Sequence, residues 1–395
     1  SNAHWMANHL TENGFEVRQI TTIPDRVDRI VHALAEAGGR SDFVFVTGGL
    51  GPTNDDVTRK AISEYFQTKW ELDEGVYKRL EEYLKERDYE MSHLNEEQAK
   101  VPKNAKIFMN YVGTAPGLLI QKQGSQFIFM PGVHFEMKKL MEDYVIPELK
   151  SRYINHHLIN QVVLTQGIPE AYLAERLKSW EQNLPENLKL AYLPSPGIVK
   201  IRLSGKSEDY ATLKSVVNKK IEELKQIIPD YYVESGITEL EKIIGRLLSE
   251  QGETLSTAES CTGGGIAARI TSVPGSSGYF RGSVVAYSNQ IKEEMLKVDP
   301  GTIKKYGAVS QQVTEKMAQE IRKLYDTDYS IAVSGIAGPS GGTTDKPVGT
   351  TWISVVSKEN TWSEKFLFGK MRDVNIEKTI NTGLNMLRKM ILKKN

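Results

Sequence analysis

Apolar positions along the chain switch between helical and extended spacing, and the order of the switches predicts the architecture. Trp5–Asn13 has helical spacing and stops at Gly14, Phe15–Ile20 reads as a strand, and Arg26–Ala37 reads as a helix closed by Gly38-Gly39. Asp42–Thr47 (DFVFVT) is a short apolar run of the kind that fills a buried parallel strand. The loop Gly48–Thr53 follows, then helix-like Asp55–Phe66. Strand, glycine loop and helix in that order are the grammar of a doubly wound α/β sheet. Tyr77–Lys85 and Asn95–Lys100 predict further helices, Phe127–Met130 a strand, and Phe135–Tyr144 a helix after the loop Pro131-Gly132-Val133.

The pattern breaks near Pro147–His157 and again near Glu234-Ser235-Gly236. Between the breaks, Val162–Thr165, Leu188–Leu193 and Val199–Ser204 read as strands, and Glu170–Trp180 and Asp209–Ile228 as helices. After the second break the α/β grammar returns. Leu240–Glu250, Ile266–Thr271, Asn289–Leu296, Thr314–Tyr325 and Val374–Leu392 read as helices. Thr254–Ala258, Ser283–Tyr287, Tyr329–Ser334, Thr350–Val356 and Lys365–Phe368 read as strands. The expected fold class is α/β: two three-layer α/β domains, residues 1–155 and 235–395, joined by a small α+β unit, residues 156–234.

Composition narrows the functional classes. Lys+Arg and Asp+Glu are both 50 in 395 residues, so no basic excess favours nucleic acid. No apolar run approaches the ~20 residues that a membrane span requires. One cysteine excludes an intramolecular disulfide framework and a Cys-rich zinc module, and points to a reducing, cytoplasmic setting. Ser1-Asn2-Ala3 fit a cloning remnant as well as a native helix start.

The histidines decide more. The seven are His4, His9, His32, His93, His134, His156 and His157, so the C-terminal region holds none. Catalysis there by a Ser-His or Cys-His pair, or by a His-bound metal, is excluded within that domain. Lys, Tyr or a carboxylate remains to activate a nucleophile.

Ala258–Gly265 (AESCTGGG) places a small nucleophile on a strand-to-helix turn. Its glycines allow backbone N–H groups to approach a substrate, and the helix start adds positive potential. A Ser/Thr-rich helix cap with glycines kept for packing accounts for the same spacing. Within the turn, Cys261 is the stronger free nucleophile but reads as a small buried apolar residue. Ser260 needs a base, and Tyr287-Ser288-Asn289-Gln290-Ile291-Lys292 supplies one if burial lowers the Lys292 pKa, with Tyr287 as a relay. An ordinary solvated lysine is the alternative for Lys292.

Two glycine loops suit phosphates. Ser334–Gly342 (SGIAGPSGG) can form an anion nest, and Arg372 can pair bidentately with phosphate. Gly48–Asp56 (GGLGPTNDD) repeats the logic in the N-terminal region, where Asp55 and Asp56 are candidate ligands for a hard divalent cation. The bland alternatives are a hairpin loop with a surface charge, and N-capping by Asn54 and Asp55. Gly113–Gly117 and Pro131–Val133 would form the opposite rim of the N-terminal pocket.

These motifs together resemble the competence/damage-inducible CinA family. The C-terminal matches are AESCTGG at 258–264, YSNxxK at 287–292, GAVS at 307–310, SGIAGPxGG at 334–342 and KPVGT at 346–350. The resemblance implies a nicotinamide-nucleotide amidase domain, which hydrolyses nicotinamide mononucleotide to nicotinate mononucleotide and ammonia without a cofactor. It carries the nucleophile role onto Ser260, with Lys292 and Tyr287 assisting. Thr262 and Gly263 become oxyanion donors. Gly335, Ala337, Gly338, Gly341, Gly342, Thr350 and Arg372 become substrate-binding residues.

VTGGLGPTNDD at 46–56, GTAPG at 113–117 and PGVHFEM at 131–137 resemble the family's molybdopterin-binding-type domain, in some members a metal-dependent ADP-ribose pyrophosphatase. The resemblance assigns Gly48, Gly49, Gly51, Thr53, Asp55 and Asp56 to a nucleotide site, with a divalent metal at Asp55 and Asp56. A first strand and loop expected upstream are absent, and His134 stands where Pro is usual; both weigh against this activity. The middle unit resembles the family's KH-like domain, but near-neutral composition and no aromatic stripe argue against RNA binding. The resemblance also implies a homodimer with small-molecule partners: a pyridine nucleotide and, for the N-terminal domain, ADP-ribose. A non-catalytic nucleotide-binding protein is the remaining alternative.

Overall fold

The central strand of the N-terminal unit, Phe127-Ile128-Phe129-Met130, sends its side chains alternately to two different apolar cores. That alternation builds three layers from one sheet. The computed structural model describes residues 1–53, 56–153 and 157–393, and divides into two compact units, Ser1–Leu158 and Ile159–Asn395.

In the first unit α1 (Asn2–Glu12) and α2 (Val27–Gly38) precede β1 (Phe43–Thr47). Next come α3 (Thr58–Phe66), β2 (Trp70–Leu72), α4 (Glu74–Lys85), α5 (His93–Gln98), β3 (Lys100–Pro102), β4 (Lys106–Phe108), β5 (Gly117–Lys122) and β6 (Ser125–Met130). Then α6 (His134–Leu140) runs through a π-helical turn at Met141–Val145 into α7 (Ile146–Tyr153). The main sheet has the order β1-β6-β5-β4.

The sheet of this three-layer α/β unit is mixed. Only β1 and β6 pair in parallel; β5 pairs antiparallel to both β6 and β4. The cause is the two-residue turn Gln123-Gly124, both with positive φ (50° and 90°), which permits only a hairpin. Phe15–Ile20 forms no strand. Phe15 and Val17 pack on the core of α1 and α6, but the segment pairs with no strand. Pro147 lies where α6 runs through the π-helical turn into α7, and the helix continues past it to Tyr153.

The second unit opens with β7 (His157–Gln166), α8 (Glu170–Gln182), β8 (Leu188–Ser195), β9 (Ile198–Ser207), α9 (Tyr210–Ile227) and β10 (Tyr232–Ser235). Their strands form a sheet in the order β10-β7-β9-β8 over a core with Leu173, Leu177, Leu213 and Val217.

There follow α10 (Leu240–Gln251), β11 (Leu255–Glu259), α11 (Gly265–Thr271), β12 (Phe280–Val285), α12 (Asn289–Leu296), α13 (Pro300–Tyr306), α14 (Gln311–Leu324), β13 (Tyr329–Gly335), β14 (Thr350–Val356), β15 (Thr361–Leu367) and α15 (Arg372–Lys393). The five-stranded sheet has the order β12-β11-β13-β14-β15, parallel across its first three strands and antiparallel after them. One face packs on α10, α11 and α15 through Leu248, Ile266 and Leu384, the other on α14 through Val313, Met317 and Ile321. Helix α13 was not expected, although Asp299-Pro300 carries its signal: Asp299 caps Thr302 N–H and Pro300 takes the first turn.

Among the described residues, no helix is long and apolar enough to cross a membrane.

Candidate active site

β11 is an interior strand buried along its whole length, and the turn that follows it opens at the carboxyl end of the parallel strands. This is where open α/β sheets place their ligands. Ser260 is the first residue of that turn. Its N–H donates to Val333 O of the neighbouring strand at 3.1 Å, which fixes the start of the turn in the sheet. Gly263 and Gly264 take positive φ (61° and 94°), so the chain reverses into α11 without a Cβ penalty.

Lys292 reaches the turn from α12. Ser288 caps that helix by accepting from Ile291 N–H at 3.2 Å, and Lys292, one turn in, points inward and is 1% exposed. Its Nζ lies 3.2 Å from Ser260 Oγ and donates to Ala286 O at 2.6 Å. Burial pushes the Lys292 ammonium below the ordinary lysine range; Cys261 offsets this in part. A solvated surface lysine, the alternative from sequence, is not what the fold builds here.

Cys261 turns the other way. Its thiol is 7% exposed and burial pushes it up to about 12. A Cβ built on Gly335 would lie 3.0 Å from Cys261 Sγ and 2.7 Å from Thr351 Oγ1, so β13 passes this close only because position 335 is glycine.

The remaining expected residues divide into two groups. The N–H of Gly263 donates to Ser260 O at 3.1 Å, closing the turn, and the Thr262 hydroxyl donates to Glu259 Oε2 at 2.7 Å. Among the described residues, the Cys261 and Thr262 N–H groups make no backbone hydrogen bond. The helix start does not face a ligand either: Ile266 and Ala267 N–H donate to the Glu259 carboxylate at 2.9 and 2.8 Å.

Arg372, at the start of α15, donates to Gly338 O at 3.0 Å and to the Tyr287 hydroxyl at 3.3 Å. Tyr287 is 63% exposed, and among the described residues it bonds neither Ser260 nor Lys292. Asn375 braces the loop from below by donating to Ala337 O at 2.9 Å and Gly369 O at 3.1 Å. Lys346 ties it to 306–309 through Tyr306 O and Val309 O, at 2.6 and 2.8 Å. Gly341 and Gly342 lie exposed, and Thr350 is buried where β14 begins. Gly338, Ser340 and Gly341 N–H make no backbone hydrogen bond among the described residues.

Sequence reasoning gave no role to Glu259 or Asn375. The only signal for Glu259 was a carboxylate at the buried end of an apolar strand.

In the N-terminal unit the Gly48 and Gly132 loops approach each other, while Gly113 packs on Glu136. A Cβ on Gly132 would lie 3.3 Å from Gly48 Cα, and Leu50 and Ala115 share one apolar core. Gly48 and Gly49 take positive φ. Asp56 accepts from Thr53 N–H at 3.0 Å and from the Thr53 hydroxyl, and Gly51 packs on its carboxylate. Asp55 and Asn54 lie outside the described residues. Helix α3 starts at Thr58 rather than at Asp55, and Val57 at its cap supplies no side-chain bond. Among the described residues no group of three or more His, Cys, Asp or Glu side chains is placed to hold a metal ion. His134 Nδ1 lies 2.6 Å from Asn2 Oδ1 beside this loop.

Comparison with known proteins supplies the family. Residues 237–391 match the model of the CinA C-terminal domain, residues 160–233 the damage-inducible protein CinA KH domain, and residues 1–151 a probable molybdopterin binding domain. A CinA-like protein of Flavobacterium psychrophilum is 42% identical over 400 residues, covering 100% of this chain and 94% of its own. A CinA-like protein of Cytophaga hutchinsonii is 40% identical over 391 residues, covering 99% of this chain and 94% of its own. The chain belongs to the CinA family. Among solved structures, a competence or damage-inducible protein from Enterobacter asburiae is similar at 32% identity, with a TM-score of 0.38, covering 38% of this chain and 96% of its own.

Proposed function

We propose that the C-terminal domain hydrolyses the carboxamide of nicotinamide mononucleotide, yielding nicotinate mononucleotide and ammonia. The observation that carries this reading is the buried Lys292 amine 3.2 Å from Ser260 Oγ in a domain that contains no histidine. Desolvation favours the neutral amine, which is the form able to take a proton.

The steps follow from that pair. The Ser260 hydroxyl gives its proton to Lys292 Nζ, and Oγ forms a bond to the carboxamide carbon. Main-chain N–H groups of the turn, that of Thr262 among them, stabilise the resulting oxyanion. The C–N bond breaks as Lys292 returns the proton to the leaving nitrogen, and ammonia departs. Water, deprotonated by Lys292, attacks the ester carbon. Oγ leaves with the proton and Ser260 is restored. Ala286 O holds Lys292 Nζ in place through the cycle. The N–H groups of Gly338, Ser340 and Gly341, with Arg372, offer an anion site for the nucleotide phosphate. These steps need only side chains, main chain and water, and they serve pyridine-nucleotide salvage. The Tyr287 hydroxyl meets Arg372 at the rim, which supports a binding role over a proton relay.

Ammonia release from nicotinamide mononucleotide tests the proposal. Wild type turns over and Ser260→Ala falls by ~10³-fold or more; equal rates would remove Ser260 from the chemistry.

The close approach of the Gly48 and Gly132 loops favours a second reading, a metal-dependent ADP-ribose pyrophosphatase in the N-terminal domain. The turn of Asp56 onto Thr53 weighs against its service as a ligand. AMP release from ADP-ribose with added divalent metal, lost in Asp56→Ala and kept in Ser260→Ala, would establish it. Tight nucleotide binding without turnover on either substrate would leave a binding protein.

A further inference from the structure

We infer that Glu259 is the positioning residue that sets the geometry of both Ser260 and Lys292, an inference that rests on the amidase reading above. Glu259 is the last residue of β11 and is 0% exposed. Its Oε2 accepts from Ile266 N–H at 2.9 Å and from the Thr262 hydroxyl at 2.7 Å. Its Oε1 accepts from Ala267 N–H at 2.8 Å and from the Thr257 hydroxyl at 3.3 Å. Its main-chain carbonyl accepts from Ala286 N–H at 2.8 Å, and the carbonyl of Ala286 in turn holds Lys292 Nζ. One residue therefore grips the nucleophile turn with its side chain and the base's anchor with its main chain.

Burying a carboxylate at zero exposure is expensive unless every lone pair is used. Here no cation is needed, because peptide and hydroxyl donors surround it. The consequence is a choice of donors. The first-turn N–H groups of α11 are spent on Glu259, so any main-chain donor to a substrate comes from the turn before it, where the Thr262 and Gly264 N–H groups make no backbone hydrogen bond among the described residues. Glutamine cannot replace it: its NH₂ would meet Ile266 or Ala267 N–H, donor against donor. The turn would then rotate to satisfy those groups, taking Ser260 with it.

The test is kcat and KM for nicotinamide mononucleotide in wild type, Glu259→Gln, Thr262→Val and the double variant, with circular dichroism and melting curves for each. The expected result is a kcat loss of about 10²-fold in Glu259→Gln, the scale of a lost oxyanion donor. Thr262→Val should lose about tenfold, since it removes one of the bonds at Glu259. KM should stay within about threefold in both. The double variant should be no slower than Glu259→Gln, because both act through one turn. A folded Glu259→Gln with wild-type kcat overturns the inference, as do losses that multiply in the double variant. If Glu259→Gln does not fold, Thr262→Val with wild-type kcat overturns it. A wild type that releases no ammonia removes the amidase reading and this role together; an active wild type with unimpaired variants removes this role alone.

Discussion

Ser260 and Cys261 are neighbours in the chain and face opposite ways: Ser260 Oγ lies 3.2 Å from Lys292 Nζ, while the Cys261 thiol packs beneath Gly335 in the core. The turn thus presents its weaker intrinsic nucleophile to the base and hides the stronger one. A buried thiol held near 12 carries almost no thiolate at neutral pH.

Cys261→Ala should therefore keep kcat within about threefold, because the buried, protonated thiol carries no step of the chemistry. Iodoacetamide at pH 8 should leave the native wild type active and label it only after unfolding. Rapid loss of activity on alkylation of the native protein would show that the thiol is open to the site.

The base must be neutral to work, and burial holds Lys292 below the ordinary lysine range. The rate should therefore climb with pH through the lowered Lys292 pKa and level off before ordinary lysines titrate. Tyr287→Phe should leave the position of that limb unchanged and raise KM, since the Tyr287 hydroxyl meets Arg372 rather than the pair. A limb that moves or vanishes in Tyr287→Phe would return Tyr287 to the proton path.

The same burial has a stability cost. The unfolded chain binds the Lys292 proton more tightly than the folded chain does, so stability rises with pH between the folded and the unfolded pKa of this group. The penalty is fully present below the folded value and is gone above the ordinary lysine range. Lys292→Met, close in volume and uncharged, should raise the melting temperature by ~2–4 °C at pH 6, about 1 kcal/mol for a domain of this size. The gain should shrink as pH approaches 10. Differential scanning fluorimetry across pH reads this directly, and a variant that melts below wild type at pH 6 contradicts it.

The elements that position the site were legible because each had a local cause. Asn289–Leu296 is the observed extent of α12, fixed by the Ser288 cap and by Lys297 in the left-handed region. The strand expected over Thr254–Ala258, before the glycines, is observed at Leu255–Glu259. What sequence could not supply was direction. Periodicity cannot say that Lys292 points inward, that Tyr287 turns to Arg372, or that Glu259 takes the donors of α11. In the N-terminal unit, Phe15–Ile20 alternates like a strand, but a strand also needs an adjacent edge in register, which alternation does not provide. β5 was missed because its glycine start reads as loop, while its partner is set by the Gln123-Gly124 turn.

The central claim is that the Lys292 amine, not an imidazole or a metal-bound water, deprotonates Ser260. Initial rates of ammonia release from nicotinamide mononucleotide by wild type and folded Lys292→Met at pH 8 test it most directly. Lys292→Met should lose about 10²–10⁴-fold, the usual contribution of a general base; a folded Lys292→Met that keeps the wild-type rate would show that another group takes the proton.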